Sequence, residues 1–290
     1  MQNTHRPPFL FVIGAPKTGT SIMGGMLNCH PDIWIMMEAF MRKEPKHYDE
    51  IRDFKKAKNI VYSKYYSITK IYNRLCKSFS AGSYKYFGDK WACLDNFQVM
   101  EKWMNEFNPH KIIFTLRDVR SWFAHDATQQ IFIGMDPNEI ICQYVYYFVR
   151  SFKLSDCIRV RLIDQVQDPY EVMKKVSNFL PLIESGEAQF DNWWDKIGNY
   201  DDVNKMAYPW WHNRASAHIK PYKLDIKVEI KNNILWHNIL PIFDKYFNNI
   251  DGIFQRADIR QDLCKIINIY NNVPKITFDD LYNKIEKAAP

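Results

Sequence analysis

Residues 9–21 read Phe-Leu-Phe-Val-Ile-Gly-Ala-Pro-Lys-Thr-Gly-Thr-Ser, and this stretch is the most informative part of the chain. Its apolar start predicts a buried strand, its glycine-containing middle predicts a tight turn, and a helix is expected to begin near Ser21. Backbone N–H groups in such a turn point inward, and the helix adds its positive end, so together they attract an anion. Lys17 adds a positive charge, and Thr18 and Thr20 add hydroxyl donors beside that of Ser21. The stretch therefore predicts a phosphate or sulfate site.

The turn differs from the loop that binds nucleoside triphosphates. That loop needs glycine, four residues, and then Gly-Lys-Ser or Gly-Lys-Thr. Here Lys17 precedes Gly19 and no lysine follows it. An ordinary strand-to-helix turn, whose glycines only relieve backbone strain, is the alternative interpretation. A lysine and three hydroxyls crowded into one turn have no packing reason, and they favour the anion site.

A second strand ends in an arginine. Residues 111–116 form an apolar run after Asn-Pro and predict a buried strand, and a helix is expected over 121–130. Arg117 follows this strand directly. An arginine at the carboxyl end of a parallel strand is well placed for bidentate contact with a phosphate. The alternative for Arg117 is a surface salt bridge with Asp118, which would contribute little stability.

The Pro-Lys-Thr-Gly-Thr-Ser turn and the strand-Arg-Asp element together resemble the sulfotransferases that use 3′-phosphoadenosine 5′-phosphosulfate (PAPS). The resemblance spans about residues 9–248 and includes His-Pro-Asp at 30–32, Gly-Asp-Lys at 88–90 and Asp-Pro at 168–169. It implies an α/β fold of P-loop-like sulfotransferase architecture, with a doubly wound central parallel sheet flanked by helices. The alternation of predicted strands and helices favours the same class.

Further elements follow from the spacing of apolar residues. Strands are predicted over 33–37 and 158–163. Helices are predicted over 21–29, 137–152, 225–248, 259–270 and 278–288, with others through 99–107 and 173–180. We expect a sulfotransferase domain over 1–250 and a helical C-terminal extension over 251–290 that packs on it.

The resemblance implies a set of cofactor contacts, in which the turn holds the 5′-phosphosulfate and Arg117 binds the 3′-phosphate. His125 stands where the family has a serine, eight residues after the arginine. Its imidazole can donate to the phosphate, or Ser121 or Arg120 can share that role. The implied cofactor-binding residues are Pro16, Lys17, Thr18, Gly19, Thr20, Ser21, Arg117, His125, Arg214 and Ser216. A surface position without contact to the cofactor is the alternative for Arg214 and Ser216.

The implied chemistry needs positive charge and a base. Lys17 and Lys90 are the expected catalytic cations, which stabilise the negative charge on the oxygen between sulfur and the departing nucleotide. A surface position is the alternative for Lys90. Glu38 is the expected base, since a carboxylate in a Met-rich apolar run should have a raised pKa. A carboxylate that starts a helix is the alternative for Glu38. His47 and His125 are the other candidate bases.

The acceptor is expected to contact Glu38, Trp91, Trp193 and Asp195. Aromatic faces interleaved with carboxylates around Trp193 suit a cationic acceptor, such as an alkaloid of the saxitoxin kind. An amphipathic helix with tryptophans inward and aspartates outward is the alternative. Trp91 replaces a small hydroxyl residue of the family pattern.

Composition narrows the class of protein. A chain of 290 residues with 47% hydrophobic content can bury a large core. A net charge of +6 suits an anionic cofactor but is thin for a nucleic-acid binder. The six cysteines have no metal-binding spacing, and no apolar run approaches the roughly 20 residues that span a bilayer. We expect a soluble, cytoplasmic protein without metal, nucleic-acid or membrane partners, and the oligomeric state stays open.

The sequence thus predicts transfer of a sulfuryl group from PAPS to a hydroxyl or amine of a small molecule, leaving adenosine 3′,5′-bisphosphate. A nucleoside or nucleotide kinase is the enzyme alternative, disfavoured by the missing Gly-Lys-Ser/Thr and by the lack of an aspartate placed to hold Mg²⁺. A non-catalytic nucleotide-binding protein on the same scaffold is the other alternative, which the departures at Trp91 and His125 keep open.

Overall fold

A five-stranded parallel sheet forms the centre of the computed structural model, which describes residues 8–28, 30, 32–37, 85–92, 104, 110–123, 125, 128, 136–181, 228–230, 234–273 and 285–287. The strands are β1 (Phe9–Gly14), β2 (Ile33–Met37), β3 (Tyr86–Ala92), β4 (His110–Leu116) and β5 (Cys157–Arg161). Their order across the sheet is β2-β3-β1-β4-β5, with every pair parallel. The strand that opens the chain therefore lies at the centre.

Helices connect these strands and cover both faces of the sheet. They are α1 (Thr20–Asn28), α2 (Val119–Phe123), α3 (Pro137–Ser151), α4 (Leu162–Gln167), α5 (Pro169–Phe179), α6 (Ile234–Phe247) and α7 (Arg256–Asn272). A separate antiparallel pair joins β6 (Val228–Ile230) to β7 (Ile285–Lys287). Among the described helices, none is long and apolar enough to cross a bilayer.

Alternate residues of β1 enter two different hydrophobic clusters, as the two-residue period of a strand requires. Phe9, Phe11 and Ile13 pack on the face covered by α3, α6 and α7. Leu10 and Val12 pack on the opposite face, covered by α1 and α5. This two-sided burial confirms the predicted doubly wound α/β architecture.

The strands predicted over 9–13 and 33–37, the strand predicted over 111–116 and the helix predicted over 137–152 are confirmed, with shifts of one residue at some ends. The long helix starts where Asp136 accepts a hydrogen bond from the Asn138 N–H at 3.0 Å, with proline in the first turn. Its cap is therefore readable in the sequence.

Four predicted boundaries are wrong. The strand over 158–163 ends at Arg161, because Leu162 and Ile163 open α4; a short apolar run fits a strand or a buried helix equally well. The helix over 225–248 begins only at Ile234 and is preceded by β6, and the segment 278–288 contains β7. Of the helix predicted over 121–130, α2 covers the part up to Phe123.

The Gly-Asp-Lys match at 88–90 lies inside β3, a strand that the sequence pattern did not predict. Two charged residues and a glycine break the apolar run there. Gly88 is required by packing, because a Cβ at this position would lie 1.8 Å from the carbonyl oxygen of Leu10 in β1. The glycine lets the two neighbouring strands approach.

The C-terminal helix α7 packs against α3 and contributes Ile259, Leu263 and Ile266 to the core. Asp262 on the same helix accepts hydrogen bonds from Lys245 at 2.7 Å and Tyr246 at 3.1 Å, both on α6. These contacts join α6 and α7 into one layer on the sheet. The division of the chain at residue 250 remains a prediction.

Candidate anion-binding site

Three neighbouring parallel strands finish at one edge of the sheet. Gly14 at the end of β1 pairs with Ala92 of β3 and with Thr115 of β4. The turn that carries Lys17 follows β1, and Arg117 follows β4, so both leave the sheet at the same edge. Ligands of open parallel sheets bind at this edge.

The turn after β1 has an unusual backbone. Lys17 has a φ of 69° and Gly19 a φ of 95°, and both lie in the left-handed region. Glycine adopts this region readily, but for lysine it costs about 1–2 kcal/mol. Strain of this kind persists where the surrounding structure enforces it, and it is concentrated at ligand sites.

The first turn of α1 offers a row of hydrogen-bond donors. None of the backbone N–H groups of Gly19, Thr20 and Ser21 makes a hydrogen bond with the described part of the chain. The Gly19 carbonyl, in contrast, already accepts the first helical bond, from Met23 at 3.0 Å. Donors without partners at the positive end of a nine-residue helix suit an anion.

Thr18 turns into the fold instead of toward this row. Its side chain is fully buried, and its hydroxyl donates to the Ala15 carbonyl at 2.7 Å and lies 3.0 Å from the Thr115 hydroxyl. A Cβ on Gly14 would lie 2.4 Å from that Thr115 oxygen. The prediction that the Thr18 hydroxyl contacts an anion is therefore revised: it fastens the turn to β4.

An aromatic link connects the turn to Arg117. The Trp122 indole N–H on α2 donates to the Pro16 carbonyl at 2.7 Å, and the ring stacks on Tyr144 at 4.2 Å between centroids. The Tyr144 hydroxyl accepts from the Arg117 N–H at 2.9 Å and donates to its carbonyl at 2.5 Å. Burial raises the pKa of Tyr144, which keeps that hydroxyl protonated.

Arg117 lies inside the site. Its side chain is 5% exposed, and its Nε donates to the Ser121 hydroxyl at 3.1 Å. Asp118 pairs instead with Arg120, at 2.7 Å, which excludes the surface salt bridge considered for Arg117. Arg120 also pairs with Asp244 at 2.6 Å, so two carboxylates already occupy its guanidinium.

His125 lies two residues after the end of α2, where its carbonyl accepts from the Thr128 N–H at 2.8 Å. Its side chain is half-buried. The phosphate contact of His125 stays a prediction.

Lys90 and Trp91 are both buried in β3. Lys90 is 6% exposed, so the interpretation of Lys90 as a surface lysine is wrong. Asp89 accepts from the Trp91 indole N–H at 2.6 Å, and the Trp91 ring meets Phe11 edge-on at 5.4 Å between centroids. Since Trp91 is fully buried in this core, the structure argues against its expected contact with the acceptor.

The remaining predicted residues lie outside the described part of the chain. They are Glu38, His47, Trp193, Asp195, Arg214 and Ser216. The strand before Glu38 ends at Met37, which pairs with Lys90 at the edge that carries the turn.

Residues that the sequence did not single out complete the site. Thr115, Trp122 and Tyr144 hold the turn and Arg117 in place, yet each lies in an apolar run and gives no sign of this role. Within the described segments, no group of three or more His, Cys, Asp or Glu side chains is arranged to hold a metal ion.

Comparisons with known proteins bear on the family and the fold. The profile described as "Sulfotransferase family" matches residues 8–183. The "Sulfotransferase Domain from the Curacin Biosynthetic Pathway" is 14% identical with a TM-score of 0.52, over 92% of this chain and 99% of that one. The "Sulfotransferase Domain from the Synechococcus PCC 7002 Olefin Synthase" is 13% identical with a TM-score of 0.50, over 93% and 98%. These likenesses show the fold, and no curated protein matches the sequence at a significant level.

Proposed function

The chain belongs to the sulfotransferase family, and we propose that it moves a sulfuryl group from PAPS to a hydroxyl or amine of a small molecule by in-line displacement. One observation carries the choice of donor. The anion-binding turn and the buried Arg117 lie at the same sheet edge, on adjacent strands, as two separated phosphates of one nucleotide require.

In this proposal, the turn binds the 5′-phosphosulfate. The N–H groups of Gly19, Thr20 and Ser21 and the charge of Lys17 face the group that carries sulfur. The bond between sulfur and the bridging oxygen breaks as the acceptor oxygen or nitrogen bonds to sulfur. Negative charge then grows on the nucleotide phosphate, where Lys17 stabilises it and Lys90 assists.

Arg117 binds the 3′-phosphate in the proposal, with His125 beside it and with Arg214 and Ser216 closing the donor from a later loop. Glu38 takes the proton that the acceptor loses on attack. A positioned base of this kind contributes about 10² to 10⁴-fold to the rate.

The test measures which nucleotide stabilises the protein. Adenosine 3′,5′-bisphosphate should raise the melting temperature without a metal, and the protein with PAPS and an acceptor should release that nucleotide together with a sulfated product seen by mass spectrometry. Stabilisation by ATP with Mg²⁺ alone would contradict the proposal and favour a kinase. Binding of the bisphosphate with no transfer to any acceptor would favour a non-catalytic protein.

The acceptor class is proposed from sequence. Trp193 offers an aromatic face and Asp195 a negative charge. Together they suit a guanidinium- or amine-bearing metabolite such as a saxitoxin-type alkaloid, through cation–π contact and ion pairing. The same transfer assay, run with matched cationic and neutral acceptors, decides this. Turnover of neutral sugars with none of cations would overturn it.

A further inference from the structure

Gln165 on α4 is a buried side chain whose amide has no hydrogen-bond partner in the described part of the chain. The residue is 3% exposed, and neither Nε2 nor Oε1 makes a hydrogen bond with the described residues. Native interiors contain few such groups, because each one lowers stability, and each needs an explanation. A residue that only filled space here would be apolar, like its neighbour Leu162.

The amide lies against the turn that follows β1. A Cβ built on Gly19 would lie 3.0 Å from both Nε2 and Oε1 of Gln165 and 2.9 Å from Leu162 Cδ1. The Gln165 amide therefore packs against the Cα of Gly19, whose φ of 95° itself favours glycine. Gly19 also begins the row of backbone N–H groups that make no hydrogen bond with the residues the structure describes.

The order of strands in the sheet places α4 beside the turn. Arg161 ends β5 and pairs with Leu116 of β4, and α4 starts at the next residue. The start of α4 therefore lies at the edge that carries Arg117 and the turn. Gln165 and Gly19 therefore come together there from two different strand connections.

We propose that Gln165 is a further anion-site residue, whose Nε2–H donates to an oxygen of the phosphosulfate group held by the turn. The identity of the anion rests on the proposed function. The amide supplies a neutral donor on the α4 side of the group, and Lys17 supplies the charge. An unpartnered amide that lowers stability in the fold is thereby used for binding.

The experiment compares Gln165→Leu with Gln167→Leu, an exposed glutamine on the same helix. Titration calorimetry measures the affinity for adenosine 3′,5′-bisphosphate and for inorganic pyrophosphate, and thermal melts without ligand measure stability. We expect Gln165→Leu to bind both anions about tenfold or more weakly, since a hydrogen bond to a charged group is lost. Its melting temperature should rise by about 2 °C, because a buried amide is removed. Gln167→Leu should change neither.

Stability and affinity should thus move in opposite directions, which a merely structural role does not produce. Gln165→Met repeats the test with a flexible side chain if the leucine variant fails to fold. Wild-type affinity in these variants, or a joint loss of stability and affinity, would overturn the inference and leave the proposed function standing. If the wild-type protein binds pyrophosphate but not the bisphosphate, the proposed donor is wrong. The pyrophosphate affinities of Gln165→Leu and Gln167→Leu then still test whether Gln165 contacts the anion. Binding of neither anion would overturn both proposals.

Discussion

Lys17 combines a strained backbone with a full charge at the point where the anion is expected to bind. Its φ of 69° is imposed by the turn. The next residue, Thr18, fixes the turn because its hydroxyl bonds the Ala15 carbonyl and the Thr115 hydroxyl of β4. The side chain is thereby directed by the fold and not by its own conformational preference. A lysine in this strained backbone conformation supports the hypothesis that Lys17 has a role in binding.

We predict that Lys17→Ala lowers the rate of sulfuryl transfer by about 10² to 10³-fold, the usual effect of removing one group that stabilises transition-state charge. The fold should persist, because Lys17 is only partly buried and the hydrogen bonds of Thr18 still fasten the turn. Single-turnover release of adenosine 3′,5′-bisphosphate from PAPS measures the effect. Lys153→Ala, at an exposed lysine, is the control, and equal rates for the two variants would remove Lys17 from the mechanism.

At the scale of elements, the Trp122 indole fixes α2 to the turn, and the Tyr144 hydroxyl fixes α3 to Arg117. Trp122 reaches back across the sheet edge to Pro16, while Tyr144 bonds both backbone groups of Arg117. The two proposed ends of the donor site are therefore coupled by two stacked rings. A change in this link should alter binding without touching the ligand.

We predict that Trp122→Phe weakens binding of adenosine 3′,5′-bisphosphate and lowers the free energy of unfolding by about 2 kcal/mol, because the Pro16 carbonyl loses its donor and the smaller ring leaves space. Calorimetric titration and chemical denaturation measure the two effects.

Trp236→Phe is the matched control for that variant. Trp236 is 2% exposed and its indole N–H makes no hydrogen bond with the described residues, so the change removes packing alone. It should leave the affinity unchanged. If both variants bind like wild type, the link through Trp122 does not position the site.

The elements also show where sequence patterns succeed. The strands over 9–14 and 33–37 were predicted because their apolar runs are short, β-branched or aromatic, and bounded by turn residues. The strand over 86–92 was missed because Asp89 and Lys90 look like a surface segment. Their burial depends on Trp91 and on the neighbouring strands, which are distant in sequence.

At the scale of the whole molecule, the C-terminal helix is held on the sheet by a buried carboxylate. Asp262 is 4% exposed and bonds Lys245 and Tyr246 of α6 as well as Lys265 of its own helix. Burial alone would raise the pKa of Asp262, but the bonds to both lysines and the tyrosine outweigh it and hold that pKa below its usual value near 3.8.

A carboxyl whose pKa is depressed by folding contributes stability above its unfolded pKa and loses it as the pH falls through the folded value. We therefore predict that part of the acid destabilisation below about pH 4 comes from Asp262. Asp262→Asn should lower the free energy of unfolding at pH 7 by about 1–3 kcal/mol and flatten its decline below pH 4. Denaturant melts across pH measure this.

Asp258→Asn, at an exposed aspartate on the same helix, is the control for the pH series. It should keep the wild-type decline in acid. A wild-type pH profile in Asp262→Asn would show that the carboxylate does not anchor α7.

The class of fold and the two elements proposed to bind the anions are predictable from the chain alone, because apolar runs, turn residues and a strand-end arginine are local signals. Only the assembled fold shows that Thr18 fastens the turn, that Lys90 and Trp91 are buried, and that Trp122, Tyr144 and Gln165 lie around the turn and Arg117. Those roles depend on which strands become neighbours, and neighbours in a parallel sheet come from segments far apart in the chain. Burial and hydrogen-bond partners belong to the assembled sheet, whereas periodicity belongs to each segment.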